Sequence, residues 1–179
     1  VTGGSGSGKS AYAEQCILDF QGENRIYIAT MYPFDEESHR RIARHRAMRA
    51  EKKFTTMERY TDLEHFTIPA GADVLLECMS NLVANEIYQE GGAGENTVAA
   101  VLSGIRHLLE QAGNLVVVTN EEISDGITYD PETEKYLEKV GAINGQMAQL
   151  ADAVTEVVYG IPISHKKTGE ERKNEEVLS

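Results

Sequence analysis

The sequence predicts an α/β protein of the P-loop NTPase-like (RecA-like) kind, a mostly parallel sheet with helices on both faces. Three observations carry that reading. The segment GGSGSGKS at positions 3–10 matches G-x-x-x-x-G-K-[ST], with Gly3, Gly8, Lys9 and Ser10 at the fixed positions. Near-continuous apolar runs recur at RIYIAT (25–30), DVLLEC (73–78) and NLVVVTN (114–120), and such runs belong to strands covered on both faces, as in parallel sheets. Helical stretches separate them, which is the alternation of βαβ units.

The elements follow in order. A helix is expected from Lys9 to Phe20, with Ala13, Cys16, Ile17 and Phe20 available for packing, then a strand at Arg25–Thr30. A charged helix covers Asp35–Ala50. FTTMER (54–59) reads as a strand, DLEHF (62–66) as a helical turn and DVLLEC as a buried strand. Helices follow near Asn81–Gln89 and Glu95–Ala112, divided by GGAGEN. After the strand at 114–120 comes a loop over Glu121–Pro131, a long helix to about Ala151, and AVTEVVYG (153–160) as a last strand.

Composition bounds the rest. A chain of 179 residues is expected to be one domain, 1–179, around one core. No apolar run approaches the ~20 residues that span a bilayer. Cys16 and Cys78 make no disulfide framework, which points to the cytoplasm. A net charge of −12 and a pI near 4.8 argue against general nucleic-acid binding, so an anionic ligand must be held by local positive groups. Val1-Thr2 is too short for the strand that should feed the phosphate loop, and further strand residues are expected ahead of it. The charged tail, 168–179, is expected to fray.

The phosphate loop has a defined chemistry. The backbone N–H groups of Gly3, Gly4, Ser5, Gly6, Ser7 and Gly8 turn inward to cradle phosphate oxygens, and the following helix adds its positive end. Lys9 reaches the outer phosphates, and Ser10 offers its hydroxyl to Mg²⁺. A second acidic group is needed at a neighbouring strand end. Glu77 closes DVLLE and is the candidate, the alternative being a solvated carboxylate. Thr119, Asn120 and Glu121 close another strand at the same edge, where ligands sit in open α/β sheets. TNEE is not the N-K-x-D motif of a regulatory GTPase.

RRIARHRAMR (40–49) places five arginines in ten residues of an acidic chain. On a helix Glu37, Arg41, His45 and Arg49 recur every fourth residue and share a face. The plain readings are a solvated helix with a spectator histidine, or a nucleic-acid patch. The sharper reading has guanidinium groups clamp a polyphosphate while neutral His45 attacks it. His65, His107 and His165 show no metal-ligand spacing with either cysteine, and Cys78 reads as a buried thiol.

With these motifs in hand, the sequence resembles the bifunctional adenosylcobinamide kinase/adenosylcobinamide-phosphate guanylyltransferase family of cobalamin biosynthesis. GGSGSGKS, YIAT, DEESHRRIARHRAMR, FTTMER, LLECMSNLVAN, VVVTNE and GAINGQMAQLADAV occur in that family's order. The resemblance implies two reactions: phosphorylation of adenosylcobinamide by ATP or GTP, then transfer of GMP from GTP through a histidine to the phosphorylated substrate, giving adenosyl-GDP-cobinamide. It assigns the histidine to position 45 rather than 39, turns Glu58 toward the nucleotide beside Arg41, Arg49 and Glu77, and implies a homotrimer. The chain departs from the family pattern at EISDGITYD, where Gly126 preserves part of it, at Asn144-Gly145, and near Tyr136, where an arginine is missing. A monofunctional small-molecule kinase and a non-catalytic nucleotide-binding regulator are the competing readings.

Overall fold

The computed structural model of the chain describes residues 1–120 and 129–168, with Met48 by its backbone alone. The expectations placed on Glu121, on Gly126 and the rest of 121–128, and on the tail 169–179 lie outside the described residues.

Four parallel strands form the main sheet: β1 (Arg25–Ala29), β2 (Phe54–Glu58), β3 (Asp73–Glu77) and β4 (Asn114–Val118), in the order β2-β1-β3-β4. Their register brings Glu58, Ala29, Glu77 and Val118 to one level at the carboxyl edge. Pleating sends alternate residues of β3 to opposite faces. Val74 and Leu76 pack with Ile26 and Ile28 against α3 (Met79–Tyr88), α4 (Thr97–Gln111) and α5 (Pro131–Leu150). Leu75 packs with Tyr27, Phe54 and Val118 against Ala13 and Ile17 of α1 (Lys9–Asp19). Both faces are therefore covered by helices, as the apolar runs imply.

Helix α2 (Glu36–Ala50) is built differently. Asp35 caps it, its carboxylate accepting from the Ser38 backbone N–H at 2.7 Å. Among side chains described along it, Arg49 alone is buried, with Ser38 and Ile42 half-buried. Local charge pairs and the cap hold it more than a core face does.

Two observations extend the strand reading. The last strand, β5 (Ala153–Val158), stops before Tyr159, and Tyr159-Gly160 turn the chain into an unanticipated antiparallel partner, β6 (Ile161–Lys167). Val1 and Thr2 connect this hairpin to the main sheet. Val1 donates to Val117 O at 2.8 Å and accepts from Thr119 N at 3.0 Å, while Thr2 bonds Thr155 and Val157 of β5, each at 2.9 Å. No described helix is long and apolar enough to cross a membrane.

Candidate functional site

Close approach explains the glycines of the phosphate loop. A Cβ on Gly3 would lie 2.6 Å from Val157 O, and one on Gly8 would lie 3.3 Å from Gly160 Cα. Gly8 also takes φ +92° at the start of α1, a left-handed value that favours glycine. The β5–β6 turn thus braces the loop from outside, and Gly160 N–H donates to Ser7 O at 2.7 Å. Lys9 is buried and curls over the loop, its Nζ donating to Gly4 O at 3.0 Å.

The structure brings Ser10 and Glu77 together, the hydroxyl donating to Glu77 Oε1. The other oxygen, Oε2, accepts from the Tyr27 hydroxyl at 2.8 Å. Burial first, and then the Glu77 charge, push the Tyr27 hydroxyl far above its ordinary range, so it remains a donor. The Arg49 guanidinium lies 3.4 Å over the Tyr27 ring centroid. Thr30 supports the same strand end, accepting from Cys78 N and donating to Cys78 O at 2.8 Å each, and its own carbonyl accepts from Asn85 Nδ2 at 2.8 Å. Burial pushes the Cys78 thiol up, in keeping with an inert thiol. Further along the edge Asn120 N–H donates to Ser80 Oγ at 3.3 Å, and the Thr119 hydroxyl to Asn144 Oδ1 at 3.0 Å.

The arginine helix is less uniform than its spacing implies. Each four-residue step advances about 40° round a helix of 3.6 residues per turn, so three steps from Glu37 to Arg49 turn about 120°. That rotation carries Arg49 beneath the helix onto Tyr27 and leaves Arg41 and His45 exposed. Arg41 pairs with Glu37 at 3.6 Å, Arg40 with Glu36 at 3.1 Å, and Arg46 with Glu58 across to β2. Glu58 also accepts from the Tyr60 hydroxyl at 3.1 Å, and burial and that bond push Tyr60 up to about 12. Of the candidate residues, Ser10, Glu77 and Arg49 thus converge on Tyr27 or its Glu77 partner, Lys9 turns back on the loop at Gly4 O, and Arg41, His45 and Glu58 stand on the α2–β2 side.

A sequence model described as cobinamide kinase / cobinamide phosphate guanyltransferase matches residues 1–165. The chain belongs to this family. The bifunctional adenosylcobalamin biosynthesis protein CobU of Escherichia coli K12 is 32% identical over 180 residues, spanning 93% of this chain and 98% of that protein. CobU of Salmonella typhimurium LT2 is 29% identical with the same coverage. The bifunctional protein CobP of Pseudomonas aeruginosa PAO1 is 28% identical over 169 residues, covering 93% and 95%.

Membership makes the protein a cobinamide kinase and cobinamide phosphate guanylyltransferase of cobalamin biosynthesis. Sequence reasoning missed Tyr27, which read only as an apolar strand residue. The signal was available: a buried tyrosine hydroxyl needs a partner, and the nearest acceptor at the neighbouring strand end is Glu77. It also missed the support from Thr30 and Asn85, which depends on how the loops after β1 and β3 meet.

Proposed function

We propose that this protein performs both family reactions as one domain, 1–179, using the phosphate loop for the first and His45 for the second. In the first, the cobinamide hydroxyl oxygen attacks the γ-phosphorus of ATP or GTP, its proton leaves, and the nucleoside diphosphate departs. Lys9 neutralises charge on the transferring oxygens. Ser10 and Glu77 offer two hard oxygen donors side by side, a set suited to Mg²⁺; the ion, when bound, supplies charge neutralisation at the β- and γ-phosphates. Tyr27 fixes the Glu77 carboxylate from its other side.

In the second, neutral His45 attacks the α-phosphorus of GTP. A P–N bond forms, the bond to the bridging oxygen breaks, and pyrophosphate leaves. A phosphate oxygen of cobinamide phosphate then attacks the same phosphorus, the P–N bond breaks, and adenosyl-GDP-cobinamide forms. Arg41 and Glu58, released from Glu37 and Arg46, contact the nucleotide, and Arg49 stiffens the Glu77 corner through Tyr27. A cytoplasmic homotrimer accompanies this reading by family analogy. The observation that carries it is the Ser10–Glu77–Tyr27 cluster against a lysine-bearing phosphate loop.

GTP labelled at the α-phosphate tests the second step. An acid-labile, base-stable protein adduct is expected in the wild type and is lost in His45→Ala. Equal labelling of both proteins removes His45 from the mechanism.

A further inference from the structure

The strand edge that carries Glu77 also carries an aromatic cluster that no step above uses. Tyr32 follows β1, and Tyr60 follows β2. The Tyr32 ring lies 5.0 Å from Phe34 and 5.1 Å from Tyr60, centroid to centroid, at interplanar angles of 51° and 69°. Phe34 is 76% exposed and Tyr32 38%. Single exposed apolar side chains are ordinary, whereas exposed apolar groups gathered into one patch with a polar rim are the kind of surface that ligands use. The cavity here holds about 400 Å³ and is lined by Glu58, Arg59, Tyr60, Thr61, Asp62 and Gly91.

We infer that this aromatic wall and cavity form the docking site for the corrin macrocycle of cobinamide. The inference rests on the function proposed above and adds where the acceptor sits. In-line transfer places the acceptor oxygen opposite the leaving oxygen. The nucleotide enters through the loop, which lies on the β4 side of the sheet, where Val1 bonds Val117. The transferring phosphate is handled at the Ser10–Glu77 corner on β3. The acceptor therefore approaches over β1 and β2. Glu77, Ala29 and Glu58 share one level across β3, β1 and β2, and strands lie about 4.8 Å apart. The ends of β1 and β2 thus stand one and two strand spacings from the corner, and the wall continues from them, Tyr32 three residues past Ala29 and Tyr60 two past Glu58, on the side from which the acceptor hydroxyl would enter.

The chemistry of the surface agrees. A corrin presents methyl-studded faces, a rim of neutral carboxamides and a cationic cobalt(III) centre. The rings supply apolar faces, and Arg59, Thr61 and Asp62 supply donors and acceptors for carboxamides. The carboxylates that line the cavity are already paired, Glu58 with Arg46 and Asp62 with Arg59, so the fit to a corrinoid rests on the rings and the hydrogen-bonding groups rather than on net charge. The volume admits an edge of the macrocycle, leaving its face on the rings. Asp35, the cap of α2, directly follows Phe34, so the docked acceptor also lies at the base of the helix that carries His45, as the second reaction requires.

The test is the double variant Tyr32→Ser/Phe34→Ser, which removes exposed rings and no core. Calorimetry with adenosylcobinamide should show Kd raised about tenfold or more, the scale of losing aromatic anchors. KM for cobinamide should rise in parallel at nearly constant kcat, with GTP affinity and the GMP adduct unchanged. Corrinoid affinity within about twofold of wild type overturns the inference, as does a loss confined to GTP, which makes the wall a purine site, or a change of oligomeric state in sedimentation, which makes it a subunit contact. Failure of the wild type to bind adenosylcobinamide at all overturns the functional proposal as well, and is recognised because it appears without any mutation.

Discussion

Tyr27 is the residue on which the loop's acidic partner depends. Glu77 stands at a strand end with two oxygens and two donors, Ser10 and Tyr27. In the nucleotide complex proposed above the Ser10 hydroxyl turns toward a cation, and Tyr27 is then the donor that keeps the carboxylate in place. Its high pKa keeps it a donor across the working pH range, and Arg49 packs on its ring to hold the ring still. A hydrogen bond to a charged group contributes about 1.5–3 kcal/mol. Tyr27→Phe keeps the ring and the stacking and removes the hydroxyl alone. It should raise the Mg²⁺ concentration that half-saturates binding of a fluorescent GDP analogue by about tenfold, with metal-free affinity little changed. An unchanged metal dependence would mean that Tyr27 packs and does nothing more. Glu77→Gln should mimic the effect, because the amide leaves the position filled and removes the charge.

Elements were legible where one physical signal dominated. The strands at 25–29, 73–77 and 114–118 announced themselves as apolar runs, and the phosphate loop fixed the start of α1 to the residue. The three-letter pattern Gly-Lys-Ser named Lys9 and Ser10, and an acidic strand end named Glu77. Helix α2 was legible as a helix and illegible as a surface, because four-residue spacing conceals a rotation that buries Arg49. The β5–β6 hairpin was missed for a local reason. Two-residue hairpins favour Asn-Gly, since both positions take positive φ, and here the first is Tyr159 at φ +50° beside Gly160 at +78°. A side chain with a full Cβ costs roughly 1–2 kcal/mol in that region, and asparagine tolerates it better. Tyr159 is 94% exposed and loses little packing when replaced. Tyr159→Asn should therefore stabilise the protein by about 0.5–1 kcal/mol, read as a higher urea midpoint at unchanged m-value. A lower midpoint would show that the tyrosine side chain holds the turn by a contact of its own.

At the scale of the whole molecule, the two faces of the sheet are unequal. The α3–α4–α5 face carries the larger core cluster, while the α1 face carries a smaller one, and α2 adds little burial of its own. The phosphate loop joins this thinner layer to the rest, reaching β3 through Ser10 and the hairpin through Gly160. A nucleotide seated there ties α1, β3 and the β5–β6 turn into one unit and binds only the folded chain. Mass action then sets the size of the effect: ligand at a hundred times Kd stabilises by about 2.7 kcal/mol. For a chain of this length each kcal/mol moves the thermal midpoint by about 2–4 °C. Saturating Mg²⁺ and GTP should therefore raise the midpoint by about 5–11 °C, measured by differential scanning calorimetry at fixed protein concentration. Lys9→Ala deletes the side chain that reaches across the loop to Gly4 O, and at the same nucleotide concentration most of that rise should vanish. A wild-type midpoint that does not respond would mean the loop is not the nucleotide site. An undiminished rise in Lys9→Ala would place the main affinity elsewhere, and the exposed guanidinium groups of α2 would then be the first candidates.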